Sequence, residues 1–162
     1  MIKKSLNASL IFHVIKLSET IRKYGDVMTQ QYGITTQQWL IMLLLAKDPN
    51  IIYLKENPQD QPLLAKELAE AMNVSRANIT NLLNVLLKKN LVAQVYDGSD
   101  KRRKRLTLTK KGEEIIEKLE APRHKNNNKL LNHFEKNEKE NFILFIQKVL
   151  RIIRVDMEKK KD

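Results

Sequence analysis

Arg76, Asn78, Thr80 and Asn81 fall on one polar face of a short apolar-periodic stretch, and Ser75 stands directly before it. Side chains of these types make and accept hydrogen bonds rather than break covalent ones. An asparagine amide matches the N6/N7 edge of adenine, and an arginine matches O6/N7 of guanine. Further on, Lys101, Arg102, Arg103, Lys104 and Arg105, with Lys110 and Lys111 behind them, place seven cations within eleven residues. Such density suits phosphate neutralisation and a narrow minor groove, whose negative potential draws arginine in. A run of cations by itself is an ordinary solvated face. Its place beside a polar helix face is what points to duplex DNA.

The elements that must position these residues follow from local signals. Leu63 to Met72 reads as a short helix with Leu64, Leu68, Ala71 and Met72 on one face, followed by a turn at Asn73-Val74. Ser75 is first of all an N-cap, with incidental phosphate contact at most, for a second helix running to about Lys89. Ile79, Leu82, Leu83 and Leu86 form its inner face. Two short helices on a tight turn are a helix-turn-helix. Leu91 to Tyr96 and Lys104 to Leu108 have strand composition and flank Asp97-Gly98-Ser99-Asp100-Lys101-Arg102-Arg103, predicting a hairpin with a basic tip. A helix fits the major groove while an adjacent hairpin reaches the next minor groove, so the two would cover a half-site.

On either side lie longer helices. Leu10, Val14, Leu17, Ile21, Tyr24 and Met28 alternate at spacings of four and three, a stripe suited to meeting another helix, closed by Gly33. Gly25 within it costs about 1 kcal/mol relative to alanine. Thr35 and Gln38 form a capping box ahead of an almost wholly apolar run ended by Pro49. Residues 48–61 read as a long loop with a short strand at Ile51 to Leu54. Thr109 caps a helix expected to break or bend near Pro122, and Asn137 with Glu140 opens a last one carrying Phe142, Phe145, Ile146, Val149, Leu150, Ile153 and Met157.

Composition narrows the class. Thirty Lys+Arg against nineteen Asp+Glu give a net charge of +11, which favours a polyanionic partner. The absence of cysteine excludes disulfides, thiol ligands and thiol redox switches, and suggests a reducing cytoplasm. Neither an apolar signal region nor a run of about 20 apolar residues is present, so no membrane association is expected. His13, His124 and His133 do not share adjacent turns of one helix face, so no metal site is expected. Trp39, Phe142 and Phe145 read as core rather than as a ligand cage. With no Gly-rich phosphate loop and no nucleophile motif, the chain reads as a non-enzyme without a cofactor.

Leu64-Ala65-Lys66-Glu67-Leu68-Ala69, Val74-Ser75-Arg76-Ala77-Asn78-Ile79-Thr80, Leu86, and above all Asp100-Lys101-Arg102 followed by Leu108-Thr109-Lys110-Lys111-Gly112 resemble the MarR family of bacterial regulators. The resemblance spans essentially the whole chain. It implies that Arg102 enters the minor groove, that Asp100 orients this wing arginine, and that the helices at 5–32 and 110–158 interlock two subunits. It also implies repression of an operon and release of DNA by a small, often aromatic, acid. The long 48–61 segment departs from the family's short connection, so no effector-binding residues are assigned.

The resulting expectation is a mainly α, winged helix-turn-helix chain, a single unit over 1–162. Residues 62–109 bind DNA, and 5–47 and 110–158 form the dimerisation helices and their support. The DNA-contacting set is Ser75, Arg76, Asn78, Thr80, Asn81, Lys101, Arg102, Arg103 and Arg105. The partners are double-stranded DNA, a second copy and a small-molecule effector. A winged-helix adaptor for an acidic protein, or a sequence-indifferent architectural DNA binder, are the other readings.

Overall fold

The computed structural model describes residues 4–58, 60–98, 100 and 102–159. The chain is mainly helical and divides into two compact units, Met1–Glu120 and Ala121–Asp162.

In the first unit, helix α1 (Leu6–Thr29) starts where Ser5, in extended conformation, accepts the Ala8 amide on its hydroxyl. A 3-10 turn, Gln30–Tyr32, carries it to Gly33. Helix α2 (Thr36–Leu45) opens with the expected reciprocal cap. The Gln38 amide donates to Thr35 Oγ1 at 3.3 Å, and the Thr35 amide donates to Gln38 Oε1 at 2.9 Å. Gly25 has a packing reason to lie inside α1: a Cβ there would stand 2.5 Å from Thr36 Oγ1. Thr36 uses the close approach, donating from its hydroxyl to the Arg22 carbonyl at 2.8 Å and from its amide to Asp26 Oδ1 at 2.6 Å.

Three helices end the same way, and none uses glycine. After α2, the left-handed residue is Lys47; after α4 (Ala65–Met72) it is Asn73; after α5 (Arg76–Lys88) it is Asn90. In each, the next amide reaches back five residues, as Asp48 to Leu43, Val74 to Ala69 and Leu91 to Leu86. This satisfies carbonyls that a helix end leaves open. The stop of α2 therefore lies at this closure and not at Pro49.

Residues Ile52–Glu56 form a short helix, α3, where composition suggested a strand. Strand propensity is realised only against a partner strand, and the sheet among the described residues consists of β1 (Val92–Tyr96) and β2 (Lys104–Leu108) with a single bridge from Leu64 to Arg105. Left without a ladder, the segment coils one turn and packs Tyr53 and Leu54 on the core. Asn57 ends it by donating from its amide and its side chain to the Tyr53 carbonyl.

The strands pair antiparallel, from Val92 with Leu108 to Tyr96 with Lys104. Leu63, just before α4, accepts the Leu106 amide at 2.9 Å, so the segment leading into α4 is stitched to β2. Ile41, Met42, Leu68, Ile79, Leu86 and Leu119 are fully buried in one core with Trp39 at its edge. Of the break or bend expected near Pro122 the break does not occur: helix α6 (Lys110–Leu131) continues through it, although proline removes one hydrogen bond from a helix interior.

The second unit holds the end of α6 and helix α7 (Lys136–Lys159). The start of α7 is set by Glu138, whose carboxylate accepts the Glu135 amide at 2.8 Å, and not by Asn137 with Glu140. Phe142 and Phe145, expected in a core, are exposed along with Leu150, Ile153 and Met157, and among the described residues of α7 none is buried. Likewise α1 buries only Thr29 and leaves Leu10, Val14, Leu17 and Ile21 open to solvent.

Candidate nucleic-acid interface

Ser75 Oγ accepts the Asn78 amide at 3.2 Å and so spends itself on starting α5. Behind it, Ile79, Leu83 and Leu86 anchor the helix in the core, which turns Arg76, Ala77, Asn78, Thr80, Asn81 and Asn84 to solvent. The cap and the apolar period together present this face. Thr80 is less free than composition implies. Its hydroxyl donates to the Arg76 carbonyl at 2.8 Å, so what it offers outward is a methyl group and acceptor capacity.

At the tip of the hairpin, Asp100 organises two arginines. Its Oδ1 accepts the Arg102 amide at 3.0 Å and Arg102 Nε at 3.3 Å, while Oδ2 faces Arg103 Nε at 3.4 Å. The Arg102 side chain is 93% exposed and that of Arg103 58%. Lys101, expected beside them, lies outside the described residues. Lys104 Nζ stands 6.0 Å from the centre of the exposed Tyr96 ring, at the outer limit of a cation–π contact.

Arg105 departs from expectation. Its side chain is only 14% exposed, and it points inward. Nε donates to Asp97 Oδ2 at 2.6 Å, and Nη1 donates to the Pro62 carbonyl at 2.6 Å. Asp97, read from sequence as the first residue of a turn, is 2% exposed at its side chain. The pair therefore ties both strands of the wing to the segment that enters α4. Burial along β2 does not simply alternate: Lys104 is exposed and Leu106 fills the core, while Arg105, on the face opposite Leu106, is covered by Asp97 and the chain at Pro62. No local signal distinguishes the two cations; the distant partners of Arg105 do.

A second seam lies behind α5. Thr109 donates from its hydroxyl to the Asn90 carbonyl at 2.7 Å and from its amide to the Leu91 carbonyl at 3.1 Å, while accepting the Gly112 amide at 3.1 Å. Gly112 packs so closely that a Cβ would overlap the Leu91 carbonyl oxygen. Lys111 Nζ donates to the Lys89 carbonyl at 3.0 Å, where the C-terminal end of α5 concentrates negative partial charge. Lys111, counted by sequence among the wing cations, is thus a cap on α5.

Helix α3 borders α4 from the other side. Burial, then the Glu70 and Glu67 carboxylates, push the Tyr53 hydroxyl pKa above 10.0, so it stays protonated and neutral there.

Residues 32–103 match the MarR family model, a stretch that runs from the end of the 3-10 turn through α2, α4 and α5 into the tip of the wing. Over that stretch, less than half of its length, this chain is similar to MarR-family regulators. Among curated proteins, the MarR-type relative "Transcriptional activatory protein BadR" of Rhodopseudomonas palustris is 29% identical over 121 residues, covering 75% of this chain and 64% of BadR. The chain thus spans somewhat less than two thirds of that relative. Among solved structures, the S. aureus MepR–DNA complex superposes with a TM-score of 0.71 at 22% identity, over 93% of this chain and 99% of MepR. A MarR/EmrR family regulator from Acinetobacter sp. ADP1 gives 0.77 at 16% identity, over 93% and 99%. At such identities these likenesses establish the fold alone, the winged helix that these MarR-type regulators have, independently of any site residue. The matched segment ends before Leu108 to Gly112, so the seam behind α5 stands on its geometry alone.

Proposed function

We propose that this chain is a MarR-type, sequence-specific regulator of transcription that binds double-stranded DNA as a homodimer. The observation that carries the reading is the pairing of an outward polar face on the first turns of α5 with Arg102, 93% exposed, at the tip of the adjoining wing. The helix suits a major groove and the wing the neighbouring minor groove. Arg76, Asn78 and Asn81 read base edges, with Thr80 offering its methyl group. Arg102 and Arg103 serve the minor groove and phosphates, and Asp100 orients them. MepR, which shares the fold, was solved on DNA.

The homodimer is supported by the apolar surfaces left open. A 24-residue helix with one buried residue, as α1 is, draws little stability from its own chain. The uncovered apolar stripes on α1 and α7 are surfaces of the kind that mark a protein–protein contact. A two-fold dimer would present two copies of α5 about 34–36 Å apart, one duplex turn, to a pseudo-palindromic site. A ligand that altered the spacing would release the DNA. BadR is named an activator, so repression does not follow from kinship; the sense of regulation is set by where the site lies relative to the promoter.

Two substitutions test the assignment by fluorescence anisotropy on a duplex and its base-pair variants. Arg102→Ala is expected to weaken binding by about 1–3 kcal/mol while leaving the thermal midpoint unchanged. Parental affinity would remove the wing from the interface. Asn78→Ala is expected to change the ranking of the base-pair variants; an unchanged ranking would take Asn78 out of direct readout.

A further inference from the structure

Residues of the 48–61 segment, among them Leu54, Lys55, Pro58 and Asp60, wall off an open cleft of about 820 Å³ against the end of α2, strand β2 and the first turns of α6. No residue of α1 lines it. Its floor is apolar: Leu44, Leu63 and Leu106 are buried beneath it, and Leu54, Leu108 and Ile116 are half-buried at its sides. Volume and lining are those of a site for a small organic molecule.

The rim gives the sign of its charge. The α6 wall contributes Glu113 and Glu117, one helical turn apart on the same face, and no cation. Both are exposed, and neither forms an ion pair with a described residue. Asp60 adds a third exposed carboxylate on the insertion side. The rim cations are Lys47 and Lys55, both on the insertion side; Lys47 Nζ is turned to the Asp60 carbonyl at 3.4 Å. Asp48 is buried, with Oδ1 taken by the Asn50 amide and side chain. In a chain of net charge +11, this wall of α6 is locally negative.

We infer that the cleft is a binding site for a small amphipathic organic cation, its apolar body on the leucine floor and its charge beside Glu113 and Glu117.

The test is calorimetric titration of the full chain, without DNA, with tetraphenylphosphonium and with its neutral analogue triphenylphosphine oxide. The cation is expected to bind saturably at one per chain, and the neutral analogue at least about tenfold more weakly. Glu113→Gln with Glu117→Gln should weaken the cation about tenfold, while the control Glu138→Gln with Glu140→Gln on α7 leaves its affinity unchanged. Absence of saturable binding, equal affinity for the neutral analogue, or equal affinity in both double variants overturns the inference. Because no DNA is present, none of these outcomes bears on whether the chain binds a duplex.

Discussion

Asp97→Ala is expected to cost about 3–5 kcal/mol of folding stability, the range for removing one partner of a buried ion pair. The magnitude comes from what is left behind. Arg105, 14% exposed, would keep its bond to the Pro62 carbonyl but lose the carboxylate that balances its charge. Water reaches it poorly, and every alternative acceptor requires the wing to move. Replacing both partners by apolar residues of similar size, Asp97→Leu with Arg105→Met, is expected to recover a large part of the loss, since the desolvation penalty then disappears with the charges. Urea unfolding followed by circular dichroism measures both. A change below about 0.5 kcal/mol in Asp97→Ala would be the behaviour of a surface site and would contradict the clamp. At temperatures where the variant remains folded, its DNA affinity should also fall, because the wing is no longer tied to the segment entering α4.

Gly112→Ala is the sharper test, because two effects predict opposite signs. Helix propensity alone favours alanine by about 1 kcal/mol. Packing opposes it: the new methyl would overlap the Leu91 carbonyl oxygen and stand 3.2 Å from Leu108 Cδ2. A backbone oxygen cannot rotate aside as a side chain can, so α6 must move away from the end of α5, at a cost of about 1–3 kcal/mol in overpacking. Because the overlap is with backbone the cost falls toward the upper end of that range, and a net loss of up to about 2 kcal/mol is expected in urea unfolding. Gly98→Ala, where a Cβ meets nothing within 4 Å, serves as the control and should lie within about 0.5 kcal/mol of the parent. A Gly112→Ala variant at least as stable as the parent would show that α6 and α5 are not in this contact.

What could be read from the residues beforehand was local. Ser75 before Arg76, Thr35 with Gln38, and Thr109 before Lys110 each start a helix through bonds that span three residues, and so they are visible in a short window. The outward face of α5 was visible because its apolar period is regular. The hairpin was visible because strand residues flank a turn-rich tip. The features that escaped notice depend on separations that a window does not contain. Arg103 and Arg105 are alike in a short window, and what buries Arg105 is the Asp97 carboxylate together with the Pro62 carbonyl, which lies 43 positions away. Ile51 to Leu54 has strand composition but no neighbouring ladder, so tertiary context made it helical. Lys111 resembled one more wing cation until its position at the end of α5 was known. The apolar stripes of α1 and α7 were legible as stripes, yet what covers them is a property of an assembly and not of one chain.

The central claim, that α5 and the wing read a duplex, is tested most directly by fluorescence anisotropy of the intact protein. It would be titrated against a labelled duplex drawn from the DNA flanking its own gene, at several salt concentrations and with unlabelled competitor. Tight binding that survives an excess of unrelated DNA is expected. Affinity should fall steeply with salt, by a log–log slope of roughly 0.9 for each phosphate contacted. Binding lost equally to any competitor, or no binding at all, would contradict the claim.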